Sequence, residues 1–154
     1  MKQTMRCRVH TASSLFLVAA ALALAPLASA ADPVRERIDG FKESRRSVAA
    51  IEDAIAQGDT LTVAEQARLL AIFAEKIPDL YPADARGGFF SQAKGDIWKN
   101  FPDFVSKAQA FQGSAEQLEQ AATSSSTDVS ILSQRLRSVK NSCTSCHQSY
   151  KRGR

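Results

Sequence analysis

Two thiols and an imidazole stand within five residues near one end of the chain, in Cys143-Thr-Ser-Cys146-His147. Sulfur and nitrogen donors at this spacing suit a zinc site, a redox dithiol or the covalent attachment of a haem. On a helix, Cys143 and His147 lie one above the other at i and i+4, with Cys146 beside them, so all three face one volume. Structural zinc takes four ligands, yet outside residues 1–30 the chain holds no other Cys or His, so a carboxylate or water would have to complete the set. Reactive dithiols of the thioredoxin kind go with a βαβ setting, which this sequence lacks, and a disulfide inside a helix closes a very small, strained loop. Haem attachment needs what the motif supplies: two thiols for the two vinyl groups, and an imidazole directly after them to reach the iron. The spacing therefore favours one covalent haem c through Cys143 and Cys146, with His147 as iron ligand.

The opposite end reads as an export signal. Lys2, Arg6 and Arg8 precede an apolar run from Leu15 to Leu27 and the small residues Ala28-Ser29-Ala30, the three-part layout of a secretory signal peptide. The run is shorter than the ~20 residues of a spanning helix and is broken by Pro26. Cleavage after Ala30 leaves 31–154 as one domain with no membrane anchor, and the expected location is the periplasm. Residues 1–30 contain three of the 20 basic residues and none of the 16 acidic ones, so the net charge falls from +4 to +1. Nothing then favours nucleic acid as a partner.

The rest of the sequence steps at helical spacing. Asp32-Pro33 opens a first helix whose apolar positions include Val34, Ile38, Phe41, Val48, Ile51 and Ile55, and Gly58 closes it. Thr62-Val-Ala-Glu65 has the pattern of a capping box and predicts the start of a second helix that stops at Pro78. Residues 78–101, rich in Pro, Gly and aromatics, predict a long connection, and loops of this length usually have a job. A third helix runs from Phe101 to Ala122, and a last one carries Val129, Leu132, Leu136, Val139, Cys143, Cys146 and Tyr150 on one face. Four amphipathic helices bury their stripes by packing together. The expected fold is all-α, an antiparallel four-helix bundle with a long connection between helices two and three.

Residues 31–154 contain no methionine and no histidine besides His147, the residues that commonly complete haem iron. Lysine or tyrosine could substitute, with Lys42 one candidate, but a buried lysine must lose its proton at a cost. Five-coordinate iron with an apolar distal face is expected, open to a small neutral gas.

At this point the chain resembles the cytochrome c′ family, the class II c-type cytochromes, in which CxxCH lies near the C-terminus of a four-helix bundle. The similarity covers residues 31–154. Arg37 and Phe41 are similar to the first-helix arginine and, four residues later, the residue over the distal haem face. Pro78, Leu80, Tyr81, Pro82, Ile97-Trp98 and Phe104 resemble the stretch before the third helix, and the segment from Cys143 to Lys151 resembles the haem-binding end. The resemblance implies thioethers from Cys143 and Cys146, an iron bond from His147, a haem propionate contact from Arg37, a distal lid in Phe41 and a charge beside the proximal pocket from Lys151. Two departures stand out: Ile38 follows the arginine where a polar residue is usual, and Arg45, Arg46, Glu52 and Asp53 charge the face that members use for homodimers.

Each of the lesser positions also has a plainer use. Phe41 continues an apolar stripe, Arg37 alone would be a solvated residue, and Trp98 could pack the loop or lie on a haem edge. Lys140, Lys151, Arg152 and Arg154 suit the C-terminal end of the last helix or could steer an acidic periplasmic redox partner. The expected function is electron transfer, binding of nitric oxide or carbon monoxide without stable dioxygen binding, or both. An enzyme is not expected, because proton-moving chemistry wants a distal acid or base and His147 is committed to the iron.

Overall fold

The computed structural model describes residues 32–87 and 91–153; the expected signal peptide at residues 1–30, with Gly88, Phe89 and Phe90 of the long connection, lies outside the described residues. Four long helices form the bundle: α1 (Pro33–Gln57), α2 (Thr60–Lys76), α4 (Phe101–Thr123) and α5 (Val129–Tyr150). A single helical turn, α3 (Asp96–Lys99), and a 3₁₀ turn (Pro78–Leu80) interrupt the long connection, so Trp98 stands on a short helix and not on open loop.

Local chemistry sets the helix ends. The Asp32 carboxylate accepts from Val34 N at 2.9 Å ahead of Pro33, and Gly58, at φ 71°, closes α1 by donating to Ala54 and Ile55 carbonyls. That left-handed conformation is open to glycine without a Cβ penalty. The start of α2 differs from the capping-box expectation. Asp59 is the cap, accepting from Thr62 N at 3.0 Å and from the Thr62 hydroxyl at 2.6 Å. A carboxylate three residues upstream of Thr62 is placed to take the third orphan amide itself, which moves the helix start to Thr60.

The core is made of α2 and α4, which pack most extensively on each other, and α5 and α1 are laid on them; α1 meets α5 along a much thinner seam. Ile51, Val63, Leu70, Phe104, Leu118, Leu132 and Val139 are essentially fully buried. The N-terminal half of α1 departs from its predicted stripe: Ile38 is 42% exposed, whereas Arg37 beside it is only 2% exposed. Ile38, Phe41 and Val48 line a cavity in the α1–α5 seam instead of filling a core.

Arg37 is buried because the long connection folds over it. Nη1 donates to the carbonyls of Leu80 (2.9 Å) and Ala85 (2.8 Å), and Nη2 donates to the Arg86 carbonyl (3.1 Å) and Ser91 Oγ (3.2 Å). The guanidinium also stacks 4.4 Å from the centre of the Tyr81 ring, so a planar charge with a fixed fork satisfies loop carbonyls that would otherwise be orphaned. Trp98 pins the same segment from outside, donating Nε1–H to the Tyr81 and Pro82 carbonyls at 3.0 and 3.2 Å. The second half of the connection is tied to the end of α5: Ala93 and Lys151 form an antiparallel bridge, Lys94 N donates to Tyr150 O at 2.9 Å, and the Arg152 guanidinium holds the Ala93 carbonyl.

Replacing Arg37 by Ala strands three carbonyls and a hydroxyl. The expected loss of stability is on the order of 3 kcal/mol, read as a lower urea midpoint, together with faster proteolysis between residues 82 and 95. Arg37→Lys is expected to recover only part of it, since an ammonium cannot span the fork. Tyr81 adds a pH signature. Burial, with a smaller push from Cys146 and opposition from Arg37, raises its phenol to about 12. The fold favours the protonated form, so this contribution is complete below the unfolded value of about 10 and is lost as pH rises toward 12; ultraviolet titration of the phenolate measures the window.

Candidate functional site: a cavity between the first and last helices

The cavity in the α1–α5 seam has a volume of about 670 Å³, within the ~300–1,000 Å³ typical of cofactor pockets. Cys143, Cys146 and His147 line it from α5; Phe104, Ala108 and Phe111 from α4; Phe41 and Val48 from α1; Tyr81, Ala93 and Ile97 from the long connection. Ala108 and Phe111 have only the helical stripe as a signal, which cannot distinguish a cavity wall from a filled core.

The motif faces one volume because α5 is unbroken through it. Its N-cap Asp128 accepts from Ser130 N at 2.5 Å, and its last turn is anchored by the Tyr150 hydroxyl, which donates to Asp103 Oδ2 at 2.6 Å. Both cysteines are free and half-buried. Desolvation raises both thiols, Cys146 to about 11, with Lys107 opposing and Cys143 and Asp103 adding in its case. A redox dithiol needs the reverse, a thiolate stabilised near neutral pH. His147 is held below the usual imidazole range, first by desolvation and then by Lys151 and Arg45, which favours the uncharged ring that a metal needs. No group of three or more His, Cys, Asp and Glu side chains among the described residues is arranged to hold a bare metal ion.

Across the cavity, the Phe41 ring lies 6.0 Å from the His147 ring, inclined at 68°. The sequence suggested that α1 offers only apolar groups inward; in fact Arg37, Lys42, Ser44 and Arg45 reach the cavity as well. A cavity at the end of a bundle has a rim, and residues flanking the inward face extend to it. With Lys107, Lys140 and Lys151 this makes five cations beyond Arg37, and none of the lining residues is acidic. Of the candidate residues, Arg37, Phe41, Cys143, Cys146, His147 and Lys151 meet at this cavity, whereas Trp98 stays outside it, braced on the loop with the Arg86 guanidinium 5.3 Å from its ring centre.

A family model described as Cytochrome C' matches residues 32–151. The chain belongs to the cytochrome c′ family. A cytochrome c' of Rhodospirillum rubrum is 27% identical over 142 residues, 86% of this chain and 92% of that protein. Among solved structures, cytochrome c prime from Shewanella frigidimarina is 27% identical, covers 79% of this chain and 95% of its own, and superposes with a TM-score of 0.69. A nitric oxide complex of a variant of cytochrome c prime from Alcaligenes xylosoxidans shares the fold at 21% identity and a TM-score of 0.67, over 79% of this chain and 94% of the other. The up-and-down bundle is one for which cytochrome c′ is itself a standard example.

The cofactor is therefore haem c, held covalently through the cysteines. The residues present fit it: two free thiols and a neutral imidazole on one helix face, an apolar cavity of adequate volume, and a cationic rim without carboxylates to receive two propionates. Cys143→Ser or Cys146→Ser should leave one thioether, seen as a red shift of the pyridine haemochrome band. Replacing both should let acid–acetone extract the haem, which the parent protein retains.

Proposed function

We propose that this cytochrome c′ is exported to the periplasm and carries one five-coordinate, high-spin haem that takes up nitric oxide or carbon monoxide and exchanges electrons with a periplasmic redox protein. The observation that carries this reading is the pairing across the cavity: His147 on one wall, and on the other Phe41, a ring that cannot ligate iron. The haem supplies a one-electron couple and, with a single protein ligand, an open coordination position for a small gas. His147 is the proposed proximal ligand, kept neutral by its surroundings, and Lys151 beside it discourages an imidazolium. Phe41 is the proposed distal lid, an apolar ring that gives a bound gas no hydrogen bond. Nitric oxide needs no such bond, whereas bound dioxygen is stabilised by one, so stable dioxygen binding is not part of the proposal.

Arg37 has four of its five N–H groups on the long connection. Its proposed propionate contact therefore falls to the remaining Nε–H, and Lys42, Arg45, Lys107 and Lys140 are the further cations that would neutralise the propionates. Trp98 acts through the loop it braces. Exposed Leu69 and Ile72 on α2 favour a homodimer through that helix. We read the protein as a binder and carrier and not as an enzyme, since Phe41 offers no proton to a bound ligand.

A second reading, a dedicated electron carrier with six-coordinate haem, is favoured by one observation: Lys42 lines the same cavity next to Phe41. Absorption and electron paramagnetic resonance spectra of the exported protein, with and without nitric oxide, separate the two. A high-spin ferric signal and a ferrous form that takes up nitric oxide are expected; low-spin spectra in both oxidation states would assign the sixth position to a residue such as Lys42. Phe41→Ala should speed carbon monoxide association, and an unchanged rate would remove Phe41 from the lid.

A further inference from the structure

Phe41 does not stand alone over the cavity. The Phe73 ring, from α2, meets it edge-on with centroids 5.1 Å apart and planes at 88°. Phe73 does not line the cavity; it stands behind Phe41 and packs against the core from a half-buried position. It reaches that position through a gap in α1, because a Cβ at Gly40 would fall 2.0 Å from Phe73 Cε2 and 2.6 Å from Cδ2 and Cζ. Glycine in the middle of a 25-residue helix costs about 1 kcal/mol relative to alanine. Here it has a steric reason next to the residue that faces His147. Nothing in the sequence joins Phe73 to Gly40.

The geometry points to Phe73 as a positioning residue for ligand access, with Gly40 as the notch that admits it. Edge-to-face contact fixes the tilt of the Phe41 ring, and a ring already backed on its far side cannot swing away from an incoming ligand without moving Phe73. The gate thus consists of three residues: Phe41 touches the ligand path, Phe73 limits how far Phe41 retreats, and Gly40 sets how closely Phe73 approaches. This inference rests on Phe41 being the distal lid, as proposed above.

Carbon monoxide association with the ferrous holoprotein, followed by flash photolysis, tests it in the parent, Phe41→Ala, Phe73→Ala, Gly40→Ala and the Phe41→Ala/Phe73→Ala pair. Phe73→Ala should speed association by roughly three- to tenfold, the effect of releasing one off-rotamer restraint. Gly40→Ala, which displaces the Phe73 ring while keeping it in the chain, should act in the same direction. The double variant should be no faster than Phe41→Ala alone, because the two residues act as one unit. If Phe73→Ala fails to fold, Phe73→Leu preserves most of the volume and serves in its place. In the crystal structure of the Phe73→Leu holoprotein, Phe41 should occupy more than one rotamer.

Fast association in Phe41→Ala with parent-like rates in both Phe73→Ala and Gly40→Ala would overturn the positioning role and leave the lid intact. Additive effects in the double variant would overturn it too, by showing that Phe73 acts elsewhere. An unchanged rate in Phe41→Ala would instead sink the lid reading, and the present inference with it.

Discussion

A single buried cation organises the end of the molecule that matters. The Arg37 guanidinium is out of solvent, and such a charge persists only where hydrogen bonds replace its water; four acceptors of the connection between α2 and α4 do so. That requirement works in both directions. The carbonyls of Leu80, Ala85 and Arg86 need donors, and the arginine needs acceptors, so each orders the other. Tyr81, Ser91 and Ala93 thereby become fixed walls of the cavity, and the bridge from Ala93 to Lys151 extends the same order to the helix that carries His147.

The bundle itself is held by ordinary means: Leu, Ile, Val and Phe interdigitated between α2, α4 and α5. What distinguishes this chain is where packing stops. Along the α1–α5 seam the two helices meet only sparsely, and side chains from both line the cavity left between them. Desolvated thiols, a neutral imidazole and a cationic rim follow from that partial opening, since the site is dry enough to suppress charge on sulfur yet open enough to hydrate the lysines.

Much of this was legible in the sequence, and the exceptions share a cause. Cys143, Cys146 and His147 declare themselves because their spacing is chemical and local, and the helices do so because a 3.6-residue period repeats over five or six turns. The start of α2 lies three residues before the capping-box expectation because Thr62 and Asp59 are both competent caps, and three-dimensional reach chooses between them. The burial of Arg37, the place of Trp98 and the exposure of Ile38 depend on a connection with no periodicity of its own, and the partners of Arg37 lie more than 40 residues away in the chain. The pairing of Gly40 with Phe73 is of the same kind: a contact between helices leaves no trace in either stripe.

The cavity also shapes the molecule as seen from a distance. Six of the seventeen basic side chains in residues 31–154 line it, and none of the sixteen acidic ones does. Outside the cavity, residues 31–154 carry sixteen acidic and eleven basic side chains, so positive charge is concentrated at the cofactor site and the opposite excess is spread over the rest. Bound propionates would reduce that asymmetry, as the pairing of Lys140 with Glu52 already does. In an electric field from any anionic surface such a molecule rotates before it makes contact, and the face it turns forward is the one through which its electrons travel.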